Sequence, residues 1–185
     1  YWRVRKGFGL VEHEYGDPIT NEQWKANWDL VERCLRGFAD SPAFARIEAS
    51  DLTRWKPIDK LDSFQVDGVD VWAAPDFAYF TADDRLDIID WKTGAARDTD
   101  KFQLAGYAAF AEAKWGVPPE RVTATLAYLA RGETTDVPID PAAVARFRDE
   151  ARASMARMRA TLADPAKNVA GPEESYPRTE ERWRC

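Results

Sequence analysis

The stretch Asp76-Phe77-Ala78-Tyr79-Phe80-Thr81-Ala82-Asp83-Asp84-Arg85-Leu86-Asp87-Ile88-Ile89-Asp90-Trp91-Lys92 decides how this chain is read. Residues 76–81 and 86–92 have strand character and are joined across Ala82-Asp83-Asp84, which predicts an antiparallel hairpin. The midpoint of positions 76 and 90 is 83, inside that turn, so Asp76 and Asp90 face each other across the pair. Directly opposed side chains share a face and have Cβ atoms about 4.5–5.5 Å apart. Two carboxylates so placed repel unless a cation sits between them or one carries a proton. A divalent cation answers this, and Mg²⁺ takes carboxylate and carbonyl oxygens while keeping waters. Strand alternation puts Leu86, Ile88, Asp90 and Lys92 on one face, and Asp76, Ala78 and Phe80 on one face of the partner strand. Lys92 then projects beside the acids, where an ammonium orients an attacking water or stabilises charge on a phosphate. Two acids with a lysine two residues beyond the second suit phosphodiester hydrolysis. On the residues alone an alternative stays open, because Asp and Lys near strand ends are often plain surface groups. A one-residue slip in register would also move one carboxylate to the other face.

Working outward, residues 8–15 read as a short strand before a Gly16-Asp17-Pro18 turn. Thr20 and Gln23 form a capping-box pattern that opens a helix. Trp24, Trp28, Val31, Leu35 and Phe38 make one helical stripe that expects to be buried. A shorter helical turn with Phe44 and Ile47 follows Pro42. Phe64–Val66 and Val69–Trp72 read as a hairpin across Asp67-Gly68. A helix from about Asp98 to Trp115 follows the central hairpin, with Phe102, Tyr107, Phe110 and Ala111 inward. Strands are expected at Val122–Leu129 and Thr134–Ile139. Asp140 caps a long helix with Pro141 in its first turn, its inward stripe being Val144, Phe147, Ala151, Met155, Met158 and Leu162. Residues after Pro165 read as polar and extended. The element order predicts a mixed α/β layer architecture.

The 185 residues suit one domain of ordinary size. With 45% hydrophobic and 31% charged residues, a packed core is expected rather than disorder. A net charge of -6 excludes a generally basic nucleic-acid coat but leaves a local binding face possible. Residues 141–185 carry 9 basic and 7 acidic side chains, the most favourable third for a polyanion. No apolar run approaches the ~18 residues of a membrane span, and the start has no signal-peptide pattern. Two cysteines cannot form a disulfide framework, which points to a reducing, cytoplasmic setting.

The series Pro75-Asp76, then Asp90-Trp91-Lys92-Thr93-Gly94, then Gln103-Leu104-Ala105-Gly106-Tyr107 resembles the PD-(D/E)XK nuclease superfamily. Within it, the series is most similar to the RecB-like branch that includes AddB and CRISPR-associated exonucleases. The resemblance rests on residues 76–107. It implies an α/β fold with a restriction-endonuclease-like αβββαβ core, a mixed sheet flanked by helices. It implies that Asp76 and Asp90 ligate Mg²⁺ or Mn²⁺, with the main-chain carbonyl of Trp91 as a further ligand, and that Lys92 positions the water. Gln103 and Tyr107, four apart on one helix face, would line the site and help hold the DNA strand or the lysine. The implied substrate is DNA with single- or double-stranded ends, and the implied partner a helicase or another repair or defence subunit.

The sequence also departs from that pattern. The branch usually carries a metal-coordinating histidine on an upstream helix. The single histidine, His13, sits in a strand-like context, so that helix is expected before Tyr1. A glycine often stands three residues before the first acid, where this chain has Ala73. Cys34 lies on the buried stripe of the first helix and reads as a core thiol. The run Tyr176 to Cys185 resembles the approach to a cysteine cluster holding [4Fe–4S], which needs four thiolates; one cysteine holds none, so a 4Fe–4S cluster belongs only to a longer parent. The single domain 1–185, with residues 166–185 as a tail leading toward that cluster, is therefore expected to be a fragment with impaired activity. Arg146, Arg148, Arg152, Arg157 and Arg159, with Arg178, Arg182 and Arg184, are candidate phosphate contacts. The competing reading is a catalytically inert nuclease-fold module that binds DNA or a protein. A carboxylate-pair sugar hydrolase is weaker, since it leaves Lys92, Gln103 and Tyr107 without work.

Overall fold

The computed structural model describes Gly16 and residues 18–176. The expected strand 8–15 with His13, and Arg178, Arg182, Arg184 and Cys185, lie outside the described residues. The chain divides into two compact units. One comprises Tyr1–Ser50, Trp91–Ala96 and Leu126–Thr135, the other Asp51–Asp90, Arg97–Thr125 and Asp136–Cys185. Among the described residues no helix is long and apolar enough to cross a membrane.

The first unit holds α1 (Asn21–Ala39) and α2 (Pro42–Glu48). The capping box forms as its residues dictate: Gln23 N donates to Thr20 Oγ1 at 3.2 Å, and Thr20 N donates to Gln23 Oε1 at 2.8 Å. Ser41 caps α2 by accepting from Phe44 N at 3.0 Å, and Pro42 fills the first turn, where no amide donor is needed. The α1 stripe corrects the sequence expectation. Cys34 is its one buried residue, whereas Trp28 is 69% and Leu35 65% exposed. Phe38, at the end of the stripe, does pack, with ring centroids 4.7 Å from Phe44 and 5.0 Å from Trp91. α1 meets the turn Leu129–Arg131 closely: a Cβ on Gly37 would lie 1.8 Å from the Leu129 carbonyl oxygen.

The second unit opens its sheet structure with β1 (Asp62–Val66) and β2 (Val69–Ala73), paired antiparallel with Val66 opposite Val69. Their turn residues Asp67 and Gly68 both have positive φ, 50° and 76°, as a tight hairpin of this hand requires. This pair makes its own two-stranded sheet instead of joining the next strands. Pro75, lacking an amide donor, stands in the link and cannot continue a ladder. Next come β3 (Phe77–Phe80), β4 (Leu86–Lys92), α3 (Asp98–Trp115), β5 (Val122–Tyr128), β6 (Glu133–Pro138) and α4 (Pro141–Ala160). The four strands form one mixed sheet in the order β3-β4-β5-β6, flanked by helices. The last two residues of β4, Trp91 and Lys92, count with the first unit.

Leu86, Ile88 and Ile89 of β4, Leu104 and Ala108 of α3, Val122 of β5 and Val144 of α4 are fully buried. Each large aliphatic side chain so covered stabilises the fold by about 1.5–3 kcal/mol. α3 lies close to α4 because Gly106 is bare there; a Cβ would sit 2.8 Å from the Phe147 ring. Gly116, left-handed at φ 66°, ends α3. Several expected inward residues differ: Phe102 is 43% and Met158 59% exposed. α4 ends at Ala160, so Leu162 belongs to β7 (Leu162–Asp164), which pairs with β8 (Val169–Ala170). The segment after Pro165 is thus folded back as far as 176, not extended.

Candidate active site

The register of the central hairpin is Phe77↔Ile89, Ala78↔Ile88, Tyr79↔Asp87 and Phe80↔Leu86. The pairing ends at Phe77↔Ile89, and Asp76 and Asp90 are the next positions on the two segments, Asp76 in the bend ahead of β3. Asp76 is half-buried just ahead of β3, and Asp90 is only 1% exposed. A carboxylate that deep requires a compensating charge or hydrogen bonds.

Tyr107 reports on both acids. Its hydroxyl is pushed up to about 12, first by burial and then by the negative charge of Asp90, with Asp76 and Asp59 adding to it; the hydrogen bond from Gln103 acts the other way. The structure thus brings Asp76, Asp90, Gln103 and Tyr107 together at one end of the second unit. Gln103 Nε2 donates to the Tyr107 hydroxyl at 2.7 Å, and that hydroxyl donates to the Ala74 carbonyl at 3.3 Å. The helical spacing puts the pair on one face, as the sequence predicts. Its work in the structure is to tether α3 to the link that delivers Asp76. At neutral pH a phenol is protonated, so Tyr107 is the donor that the Ala74 carbonyl needs.

Lys92 ends β4, two residues after Asp90. The Trp91 ring packs edge-on against Phe38. Both residues belong to the first unit, and Asp76, Asp90, Gln103 and Tyr107 to the second.

The donor set fits a hard divalent cation in kind: two carboxylates, with main-chain carbonyl and water oxygens to complete the shell. Among the described residues no three His, Cys, Asp or Glu side chains cluster as ligands. The single histidine, His13, lies outside the described residues.

Two acids escaped the sequence reading. Asp59, in a turn with φ 45°, acts electrostatically on Tyr107. No periodicity connects position 59 to the hairpin, so nothing in the sequence pointed to it. Asp87 is 3% exposed and accepts from the Tyr79 hydroxyl at 3.1 Å. Thr125 Oγ1 lies 3.1 Å from Asp87 Oδ1 and 2.8 Å from Asp136 Oδ1. Strand alternation turns Asp87 to the face opposite Asp90. The arginines of α4 are largely committed within the chain. Arg148 pairs with Glu112 at 2.6 Å, Arg152 with Asp67 at 2.6 Å and Asp149 at 2.8 Å, and Arg157 with Glu150 at 2.7 Å.

A family model for the PD-(D/E)XK nuclease superfamily matches residues 10–185. No curated protein matches the chain.

Proposed function

Because the chain belongs to the PD-(D/E)XK nuclease superfamily, we propose that it is a metal-dependent deoxyribonuclease of RecB-like type serving DNA repair, recombination or defence. The observation that supports this most is the hairpin register, which runs to Phe77↔Ile89 and leaves Asp76 and Asp90 as the next positions, Asp90 two residues ahead of Lys92. In this reading Asp76, Asp90 and the main-chain carbonyl of Trp91 hold Mg²⁺ or Mn²⁺. Such an ion supplies Lewis-acid activation of phosphate and water. The Lys92 ammonium orients the attacking water and offsets the charge that builds on the phosphate oxygens. The water oxygen would bond to phosphorus as the bond to the leaving sugar oxygen breaks, one water proton passing to solvent and the leaving oxygen taking a proton from solvent. Tyr107 and Gln103 keep the Asp76 link in place.

The test is cleavage of labelled single- and double-stranded DNA, with an RNA of the same sequence, in Mg²⁺ or Mn²⁺. Wild type is compared with Asp90→Ala and Lys92→Ala. Loss of cleavage in both variants is expected, and equal activity of all three proteins would sink the proposal. The pairing of only two carboxylates among the described residues favours a second reading, a nuclease-fold module that binds without cutting. Calorimetry with Mn²⁺ separates the two, since the inert module takes up no metal.

A further inference from the structure

The opposite end of the same hairpin carries a different kind of site. A cavity of about 340 Å³ opens there, lined by Arg54, Phe80, Trp115 and Arg121 with Asp84 and Pro118. The segment leading into it runs beside β3: Trp55 bridges to Tyr79, and Lys56 N donates to the Ala78 carbonyl at 2.9 Å. That bond aims the Lys56 ammonium over two rings, 4.7 Å from the centroid of Phe80 and 5.4 Å from that of Trp115. Arg54 is paired with the Asp84 carboxylate, and Arg121 donates to the Asp84 main-chain carbonyl. Arg54 Nε is buried and meets no acceptor among the described residues.

Arg54, Lys56, Arg85 and Arg121 are concentrated here in a chain of net -6, with Asp83 and Asp84 in the turn, Asp51 acting on Arg54 and Glu120 next to Arg121 as counter-charges. Arginine forks match phosphate oxygens, and half-exposed aromatic faces accept bases of any sequence. An anion with a planar group attached is the chemistry this cavity fits.

We propose that this cavity anchors a nucleic-acid strand by a phosphate remote from the acids, with Trp115 and Phe80 as the wall for the neighbouring base. The proposal rests on nucleic acid being the substrate. Two rulers within the second unit give the reach. Tyr107 and Trp115 are eight residues apart on α3, about 12 Å at ~1.5 Å per residue. Leu86 and Asp90 are four apart on β4, about 14 Å at ~3.4 Å per residue. The two rulers agree, so the anchor holds the strand about 12–14 Å from the acids.

The experiment measures fluorescence anisotropy of a fluorescein-labelled 20-nucleotide single strand with the full chain in EDTA, which prevents cleavage. Arg121→Ala is expected to weaken binding about fivefold and to make the log K against log salt slope shallower by about 0.7. Lys56→Gln keeps the main-chain bond to Ala78 and is expected to weaken binding in the same direction; it serves if Arg121→Ala lowers the melting temperature. Wild-type affinity and slope in both variants, or no binding by the wild type, overturns the anchor. The two proposals fail separately. Cleavage that depends on Asp90 without any Arg121 effect on binding leaves the nuclease standing. Arg121-sensitive binding without cleavage leaves the anchor standing.

Discussion

Tyr107→Phe isolates the tether, because it removes one oxygen and keeps the ring. In the structure that oxygen accepts from Gln103 Nε2 at 2.7 Å and donates to the Ala74 carbonyl at 3.3 Å. Each such bond contributes about 0.5–1.5 kcal/mol net. Gln103 is exposed and can turn to water, so its share of the loss is small. The bond to Ala74 is long, which also puts it at the low end. About 0.5–1 kcal/mol is therefore expected in all, and at ~2–4 °C per kcal/mol for a chain this size the melting temperature falls by about 1–4 °C. The effect on catalysis is larger than that on stability. Ala74 lies two residues before Asp76, and an ångström of misplacement in a reacting centre costs about 100-fold in rate. A drop in kcat of about 10- to 100-fold is expected, partly restored by raising Mg²⁺, since a displaced Asp76 weakens the metal site rather than abolishing it. The assay is steady-state cleavage of a fluorescent oligonucleotide across a Mg²⁺ titration, beside a thermal melt. An unchanged kcat at limiting Mg²⁺ would refute the tether. A loss that no Mg²⁺ concentration relieves would point instead to direct contact between the hydroxyl and substrate.

Three further outcomes follow. Mn²⁺ at ~100 times its Kd stabilises a protein by about 2.7 kcal/mol, so it is expected to raise the melting temperature of the wild type and leave Asp90→Ala unmoved; equal shifts would remove Asp90 from the metal site. Gly37→Ala sets a Cβ 1.8 Å from the Leu129 carbonyl oxygen, and a main-chain atom cannot swing away, so a loss of about 3 kcal/mol is expected, read as a lower denaturant midpoint at constant slope. In alkaline titration, Tyr107 holds its proton to about 12 against an ordinary 10.0. Folding raises this pKa, so its contribution to stability is complete below pH ~10 and lost as pH climbs through the folded value; the last phase of tyrosinate absorbance is expected to vanish in Tyr107→Phe.

The central hairpin was legible because a strand has a period of two and the turn at Asp83 fixes the register. Those two facts lead to the pairing of Phe77 with Ile89 and Phe80 with Leu86 without any knowledge of the rest of the fold. The same local rules predict the Thr20–Gln23 box and the Asp140 cap, where each side chain bonds within three residues of itself, and the Asp67-Gly68 turn, which rests on positive φ at both residues. What stayed hidden depends on how elements cross. The Tyr107 hydroxyl meets a carbonyl 33 positions away, and its direction follows from the seat of α3 on the sheet, which no residue spacing encodes. Asp59 reaches the site through a turn with no periodic tie to it. The α1 stripe shows the converse: helical spacing correctly gives a face, but nothing in the spacing says whether Trp28 and Leu35 are covered.

The seat of α3 also explains why its buried run is rich in small side chains. Leu104 to Ala111 are buried without a break, and five of these eight residues are Ala or Gly. Small residues all round let a helix approach its neighbours closely, and close packing resists movement, because any shift opens voids or forces overlap. Here Gly106 touches the limit, with Phe147 where a Cβ would stand. A helix held this firmly fixes whatever hangs from it. Tyr107, at its middle, secures the link to Asp76. Trp115, its last residue, walls the arginine-lined cavity beside Arg121. The spacing between acids and anchor is then a property of the packed core and not of loop conformation. A substitution that lets α3 slide disturbs both together, whereas one in the β3–β4 turn disturbs the anchor alone.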